Sequence, residues 1–288
     1  MKVYPECLPC FAHQALQAID RSKTDESLRW EILIEACKHI ATFKPGMKPV
    51  EMAEVIYPLV AQKTGVPDPF ETVKHETNQH ALALYPFFKN LVTESDKPIE
   101  TAMKLAIIGN NIDFGVPHNH LINLENETLS MLHEPLAIDD TKDFLNLLPA
   151  SSSLLLLADN SGEIVLDKLL LETIHNHNPN LKITVAVREI PIINDVTLAD
   201  VKEVGFPPFI STISSGNKTP GVILGKASKE FLDVYNSADI ILSKGQGNYE
   251  GLSDEAEARV FFLFRAKCAI IARHVGVGEG SMIVKRGG

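Results

Sequence analysis

The sequence predicts an α/β protein with a helical first half and a second half in which strands alternate with helices. Apolar residues recur at helical spacing up to about residue 110. From about Ser151 the pattern changes to short apolar runs that end in turn residues. Alternating strands and helices imply crossover connections and a mainly parallel sheet. The boundary is expected at Leu148-Pro149-Ala150-Ser151, giving a helical subdomain over residues 1–150 and a sheet domain over residues 151–288.

Five helices account for the first half. Phe11, Ala15, Leu16 and Ile19 mark one over 9–22. Leu28, Ile32, Leu33, Ala36 and Ile40 mark a second, with Asp25 as its N-cap and Lys44-Pro45-Gly46 as its stop. Three more are expected over 50–63, 70–91 and 98–110, with Pro58 and Pro86 kinking or ending theirs. Strands are expected at Leu154–Ala158, Leu181–Val187, Phe209–Ile213, Ile240–Leu242 and Val260–Leu263.

The 288 residues carry 37 acidic against 27 basic side chains, a net charge of −10. That field disfavours nucleic acid and anionic membranes as partners. No apolar run approaches the roughly 20 residues of a membrane span, and the N-terminus lacks a signal-peptide apolar region, so a cytoplasmic location is expected. Four cysteines are too few for a disulfide scaffold. The oligomeric state is not legible.

Ligands of open α/β sheets bind beyond the carboxyl ends of the strands, so the polar residues there are the candidates. Asp159-Asn160-Ser161-Gly162-Glu163 follows the LLLLA run and offers two hard oxygen ligands beside a helix N-terminus; Asp159 or Asn160 could equally be an N-cap. Asp195, after the LKITVAV strand, is either an N-cap or a third oxygen ligand on a neighbouring strand end. Two carboxylates and an amide oxygen suit Mg²⁺ or Mn²⁺ better than zinc. Lys244, followed by Gly245 and Gly247, has the composition of a phosphate contact, though no Walker loop is present. Ser214–Gly221 forms a fourth strand-end loop.

Outside the sheet, Gly109–Gly115 is an unusually polar helix end, which C-capping alone would explain. His118 and His120 read as a solvated pair rather than a metal site, and His75 and His80 carry still less signal. Cys7 and Cys10 form a CxxC and, with Cys268, could supply three thiolates to a second metal or redox site; small packing residues are the plainer reading.

Taken in order, CLPC, GNNIDFG, DNSGE, IINDVT, SSGNKTPG, SKGQGNYE and AKCAIIARHVGV resemble the metal-dependent damage-control phosphatase family (domain of unknown function 89), in particular its prokaryotic CxxC-bearing subgroup. The resemblance covers nearly the whole chain. It implies a helical subdomain on a Rossmann-like three-layer α/β/α domain. It also implies a divalent metal (Mn, Ni, Co or Mg) held by Asp159, Asn160 and Asp195. By the same matching, Lys244 contacts phosphate, Asp159, Glu163 and Lys244 serve the reaction, and Asn110, Asp113, Ser215, Gly216 and Asn248 line the substrate pocket. The RTxK motif of the family's eukaryotic subgroup is absent.

The expected activity is therefore hydrolysis of small phosphorylated metabolites, such as sugar phosphates or damaged cofactor phosphates, as metabolite damage control. Asp159 would position or activate the attacking water, or attack directly. DNSGE does not match the DxDx[TV] of haloacid-dehalogenase phosphatases, and no GxGxG loop follows the first strand to support a methyltransferase. The alternative from another class is a non-catalytic metal- or nucleotide-binding protein with a structural or redox CxxC site.

Overall fold

The structure, a computed structural model, describes residues 1–109 and 121–288. The expected Asn110, Asp113, His118 and His120 lie outside the described residues. Thirteen α-helices and seven strands are present among the described residues. The strands form one sheet in the order β1-β7-β6-β5-β2-β3-β4. They are β1 (Ile138–Asp139), β2 (Ser153–Leu157), β3 (Lys182–Val187), β4 (Ile210–Ser214), β5 (Ile240–Lys244), β6 (Val260–Arg265) and β7 (Met282–Arg286). Every neighbour pair is parallel except β6 with β7.

β2 sits at the centre because both of its faces are apolar. Leu154 and Leu156 pack into a core on one side, and Leu155 and Leu157 into a core on the other. A strand covered on both faces reads as a continuous hydrophobic run, which is what LLLLA is. The first face is covered by α9 (Glu163–His177) and α10 (Leu198–Val204). The second is covered by α11 (Lys229–Ser237), α12 (Gly245–Leu252) and α13 (Ala269–Val275). The result is a three-layer α/β/α arrangement.

The helical half is divided by its packing. α4 (Glu71–Ala83), α5 (Tyr85–Thr93), α6 (Pro98–Ile108), α7 (Leu121–His133) and α8 (Thr141–Leu147) share the first core with the sheet, α6 lying against α9. A separate cluster is formed by α1 (Cys7–Arg21), α2 (Glu26–Ile40) and α3 (Ala53–Thr64), closed by Phe70 and by Ile192 from the loop after β3. Because β1 joins the sheet before residue 151, the sheet draws on both sides of the expected boundary. The α1–α3 cluster is tied over the strand ends by Lys226–Glu54 at 2.6 Å and Lys48–Glu255 at 2.5 Å.

Local signals act as their chemistry dictates. The Leu28 amide donates to Asp25 Oδ1 at 2.9 Å, so Asp25 caps α2. The helix expected over 70–91 divides at Leu84, just before Tyr85-Pro86, because proline has no N–H to continue the ladder. Pro58, in contrast, stands inside α3, which carries on through it. No helix among the described residues is long and apolar enough to cross a membrane. Replacing the α2 cap, Asp25→Ala, is expected to cost about 1 kcal/mol, read as a fall of about 2–4 °C in thermal midpoint; an unchanged midpoint would show that the cap contributes nothing.

Candidate active site

A cavity of about 430 Å³ opens at the carboxyl ends of β2, β3, β5 and β6. β2 is the point from which the chain order runs outward in both directions, the switch at which open sheets bind ligands. Asp159, Asn160 and Ser161 enter the cavity after β2, and Ile193, Asn194 and Asp195 after β3. Gln246, Gly247 and Glu250 come from α12, and Lys267 from the turn after β6. The opposite wall is helical: Phe11, Gln14, Gln17 and Arg21 of α1, then Phe70, Val73 and Thr77 at the start of α4.

The capping alternatives are removed by the local geometry. α9 begins at Glu163 with Gly162 as N-cap, and the Gly162 amide donates instead to Asn78 Oδ1 at 2.7 Å. α10 is entered through Thr197, whose amide and hydroxyl both donate to Asp200 at 2.8 and 2.6 Å. Asp159, Asn160 and Asp195 are thus not consumed as helix caps. A backbone bridge pairs Asn160 with Asp195, which brings the β2 and β3 ends together, and the Asn160 amide donates to Asp159 Oδ2 at 2.8 Å. Both aspartates are buried, yet both border the cavity.

Arg188, just past β3, organises this ground. Its guanidinium donates to Asp195 Oδ2 at 2.7 Å, to Asn248 Oδ1 at 3.1 Å and to the Pro220 carbonyl at 3.0 Å, and it lies 3.7 Å from Asp159. Burial pushes the Asp195 carboxyl up, Arg188 opposes that, and the neighbouring Asp159 charge adds to it. Gly245 fits the tightest approach. A Cβ there would stand 1.9 Å from Asp159 Oδ2, and its φ of 76° suits glycine.

Lys244 has a different place from the one expected. Its ammonium is fully buried below the cavity floor, where it donates to the Ala106 carbonyl at 2.8 Å, to Asp167 Oδ1 at 2.7 Å and to Glu163 Oε1. Burial alone would lower its pKa, but Asp167 and Glu163 hold it above its ordinary value. Burial also pushes the Glu163 and Asp167 carboxyls up against the pull of Lys244. The three N–H donors of Lys244 point to these internal acceptors, and Glu163 faces Lys244 rather than the cavity.

Three other expected pocket residues are likewise engaged inside the fold. Asn248 joins Arg188, the Val222 amide and the Ala158 and Lys244 carbonyls. Ser215 is buried, with its backbone bonded to Val187 and Ser228, and Gly216 packs against Ser228. These residues hold loops in register rather than line the cavity. The cation that does line it at the strand ends is Lys267, two residues past β6 and inside the AKCAIIARHVGV segment.

Cys7, Cys10 and Cys268 come from opposite ends of the sequence and meet beside Glu250. Burial pushes the Cys7 and Cys10 thiols up, and Glu250 and Cys268 add to it. The Gln246 amide donates to Glu250 Oε1 at 2.9 Å and lies 3.8 Å from Cys268 Sγ. Among the described residues, no three His, Cys, Asp or Glu side chains form a group able to hold a metal ion. The cysteines therefore converge without forming a ready three-thiolate cage, whereas Asp159, Asn160 and Asp195 are two carboxylates with an amide oxygen.

A Rossmann-like α/β/α sheet with an acidic, oxygen-rich cavity at its switch point defines the class. The damage-control phosphatase ARMT1-like domain matches residues 3–283. A damage-control phosphatase from Pyrococcus horikoshii is 35% identical over 99% of this chain and 98% of its own length, and one from Archaeoglobus fulgidus is 32% identical over 99% of each. A DUF89 family crystal structure from Pyrococcus horikoshii superposes with a TM-score of 0.94 at 35% identity, covering 100% of both chains. The chain belongs to the ARMT1-like (DUF89) damage-control phosphatase family, a family of phosphatases in metabolite repair.

Two measurements probe this ground. Lys244→Met would leave two buried carboxyls without their cation and is expected to cost about 3–5 kcal/mol in urea unfolding; a loss below about 1 kcal/mol would mean the cluster is not a structural unit. The second concerns Glu250. Burial pushes its carboxyl from 4.5 up to about 7, against the Gln246 hydrogen bond, and the Asp159 charge pushes the same way. The folded protein thus keeps a proton there that the unfolded chain releases, so this contribution is complete below about pH 4.5 and is lost as pH rises through about 7. Glu250→Gln is expected to flatten that decline in metal-free protein; identical pH profiles would refute the assignment.

Proposed function

We propose that this protein is a metal-dependent phosphomonoester hydrolase acting on small phosphorylated metabolites, with sugar phosphates or damaged cofactor phosphates as the class. The observation that carries the reading is the convergence of Asp159, Asn160 and Asp195, from two adjacent strand ends, on one cavity. The donor set fits a hard divalent cation, because all three offer oxygen and Arg188 offsets only one of the two carboxylate charges. The buried Ser161 hydroxyl has no hydrogen-bond partner and stands between the two donor loops, so it can serve water or ligand there.

Bound Mn²⁺, Ni²⁺, Co²⁺ or Mg²⁺ supplies Lewis-acid neutralisation of phosphate oxygens. The chain's own groups do the rest. Asp159, oriented by the Asn160 amide and kept in place by Gly245 and Arg188, can accept the proton of an attacking water. Lys267 and the amides at the start of α12 face the charge that builds on the phosphoryl oxygens. Arg188 fixes Asp195 and with it the second donor loop.

The test is hydrolysis of p-nitrophenyl phosphate and a phosphometabolite panel with each of the four metals. Asp159→Ala and Asp195→Asn are expected to lose on the order of 100-fold or more in metal-dependent turnover while keeping the circular dichroism of the parent. If no metal supports turnover, or if the variants match the parent, the reading fails.

A further inference from the structure

The far wall of the cavity has a chemistry that hydrolysis of the phosphate does not use. Gln14, Gln17 and Arg21 lie on one face of α1, at spacings of three and four residues, and all three border the cavity. Phe11 on the same helix and Phe70 beside α4 give that wall an apolar surface. Arg21 is exposed, and its guanidinium stands 5.1 Å from the Phe70 ring centroid.

That placement separates Arg21 from the paired arginines of this chain. Arg29, Arg188, Arg259, Arg265 and Arg286 each lie within ion-pair distance of a carboxylate. Among the described residues Arg21 has the ring of Phe70 in that role. An aromatic face holds a cation without using its N–H donors, so the guanidinium fork is kept for an oxyanion. Gln14 and Gln17 border the cavity beside it; Gln14 Nε2 lies 3.7 Å from Cys10 Sγ and Gln17 Nε2 lies 3.1 Å from His13 Nε2, which leaves each amide its oxygen and one N–H for hydroxyl groups.

We infer that Arg21 is a specificity-determining residue, and that the substrate is a phosphorylated polyhydroxy compound with a second anionic group, carboxylate or phosphate, at the end remote from the hydrolysed ester. This rests on the phosphatase reading and narrows its substrate class. The phosphate to be cleaved lies against Asp159, Asp195 and Lys267, the hydroxyls against Gln14 and Gln17, and the second oxyanion against Arg21.

Two substrate pairs test it: 6-phosphogluconate against glucose 6-phosphate, and fructose 1,6-bisphosphate against fructose 6-phosphate. The parent is expected to favour the doubly charged member of at least one pair, and the pair that shows the preference identifies the group as carboxylate or phosphate. In Arg21→Ala that kcat/KM ratio should fall about tenfold or more, carried by KM. Arg21→Lys, with the charge but not the fork, should fall between. An equal loss for both members, or no preference in the parent, overturns the inference. If the parent hydrolyses nothing, the phosphatase reading is what fails. Calorimetric titration of 6-phosphogluconate and fructose 1,6-bisphosphate into parent and Arg21→Ala then decides the present point: tighter binding by the parent supports it, and equal or absent binding overturns it.

Discussion

The buried guanidinium of Arg188 is the interaction on which the rest of the site depends. Two aspartates facing one cavity repel each other, and removal from water penalises both charges. Arg188 answers this from below, with one bond to Asp195, one to Asn248 and one to the Pro220 carbonyl, while standing 3.7 Å from Asp159. Those partners belong to the loop after β3, to α12 and to the loop after β4. One side chain therefore locks three strand-end segments into a single body, and the Asn160–Asp195 backbone bridge adds the segment after β2.

Lys244 does comparable work one layer deeper. It joins the end of β5 to Glu163 and Asp167 on α9 and to the Ala106 carbonyl near the end of α6. Glu163 Oε2 and Asp167 Oδ2 have no partner, and two carboxyls share one ammonium, so retention of a proton lowers the cost of burying them. Both carboxyls being pushed up in pKa follows from that count. A lysine held this way ties the sheet to α9 and α6, while Lys267 and Arg21 are cations that border the cavity.

Much of the fold was legible because the strands that build the site are the most buried ones. β2, β3, β5 and β6 announce themselves as apolar runs, and the polar residue after each run falls at the strand's carboxyl end. β1, with two residues, and β7, whose MIVKR ends in charges at the sheet's margin, carry too little apolar signal. In the site, residue type and strand-end position pointed to Asp159, Asn160 and Asp195, but could not say which side of the backbone a following residue would face. Lys244 and Asn248 turn inward and Lys267 outward, a distinction set by how α12 and the turn after β6 leave the sheet. The helical wall carries no strand-end signal at all, so Gln14, Gln17 and Arg21 read only as the polar side of an amphipathic helix.

The acidic balance of the chain is reconciled with an anionic ligand by distance. Surface charges more than about 8–10 Å away are screened at physiological salt, so the net charge of −10 governs encounters with large polyanions but not the field inside a cavity. Within it, Asp159 and Asp195 are partly offset by Arg188, helix α12 presents its amino end, and Lys267 and Arg21 stand at opposite walls. A small anion placed in the cavity meets positive groups at two separated points, Lys267 on the strand-end side and Arg21 on the helical wall.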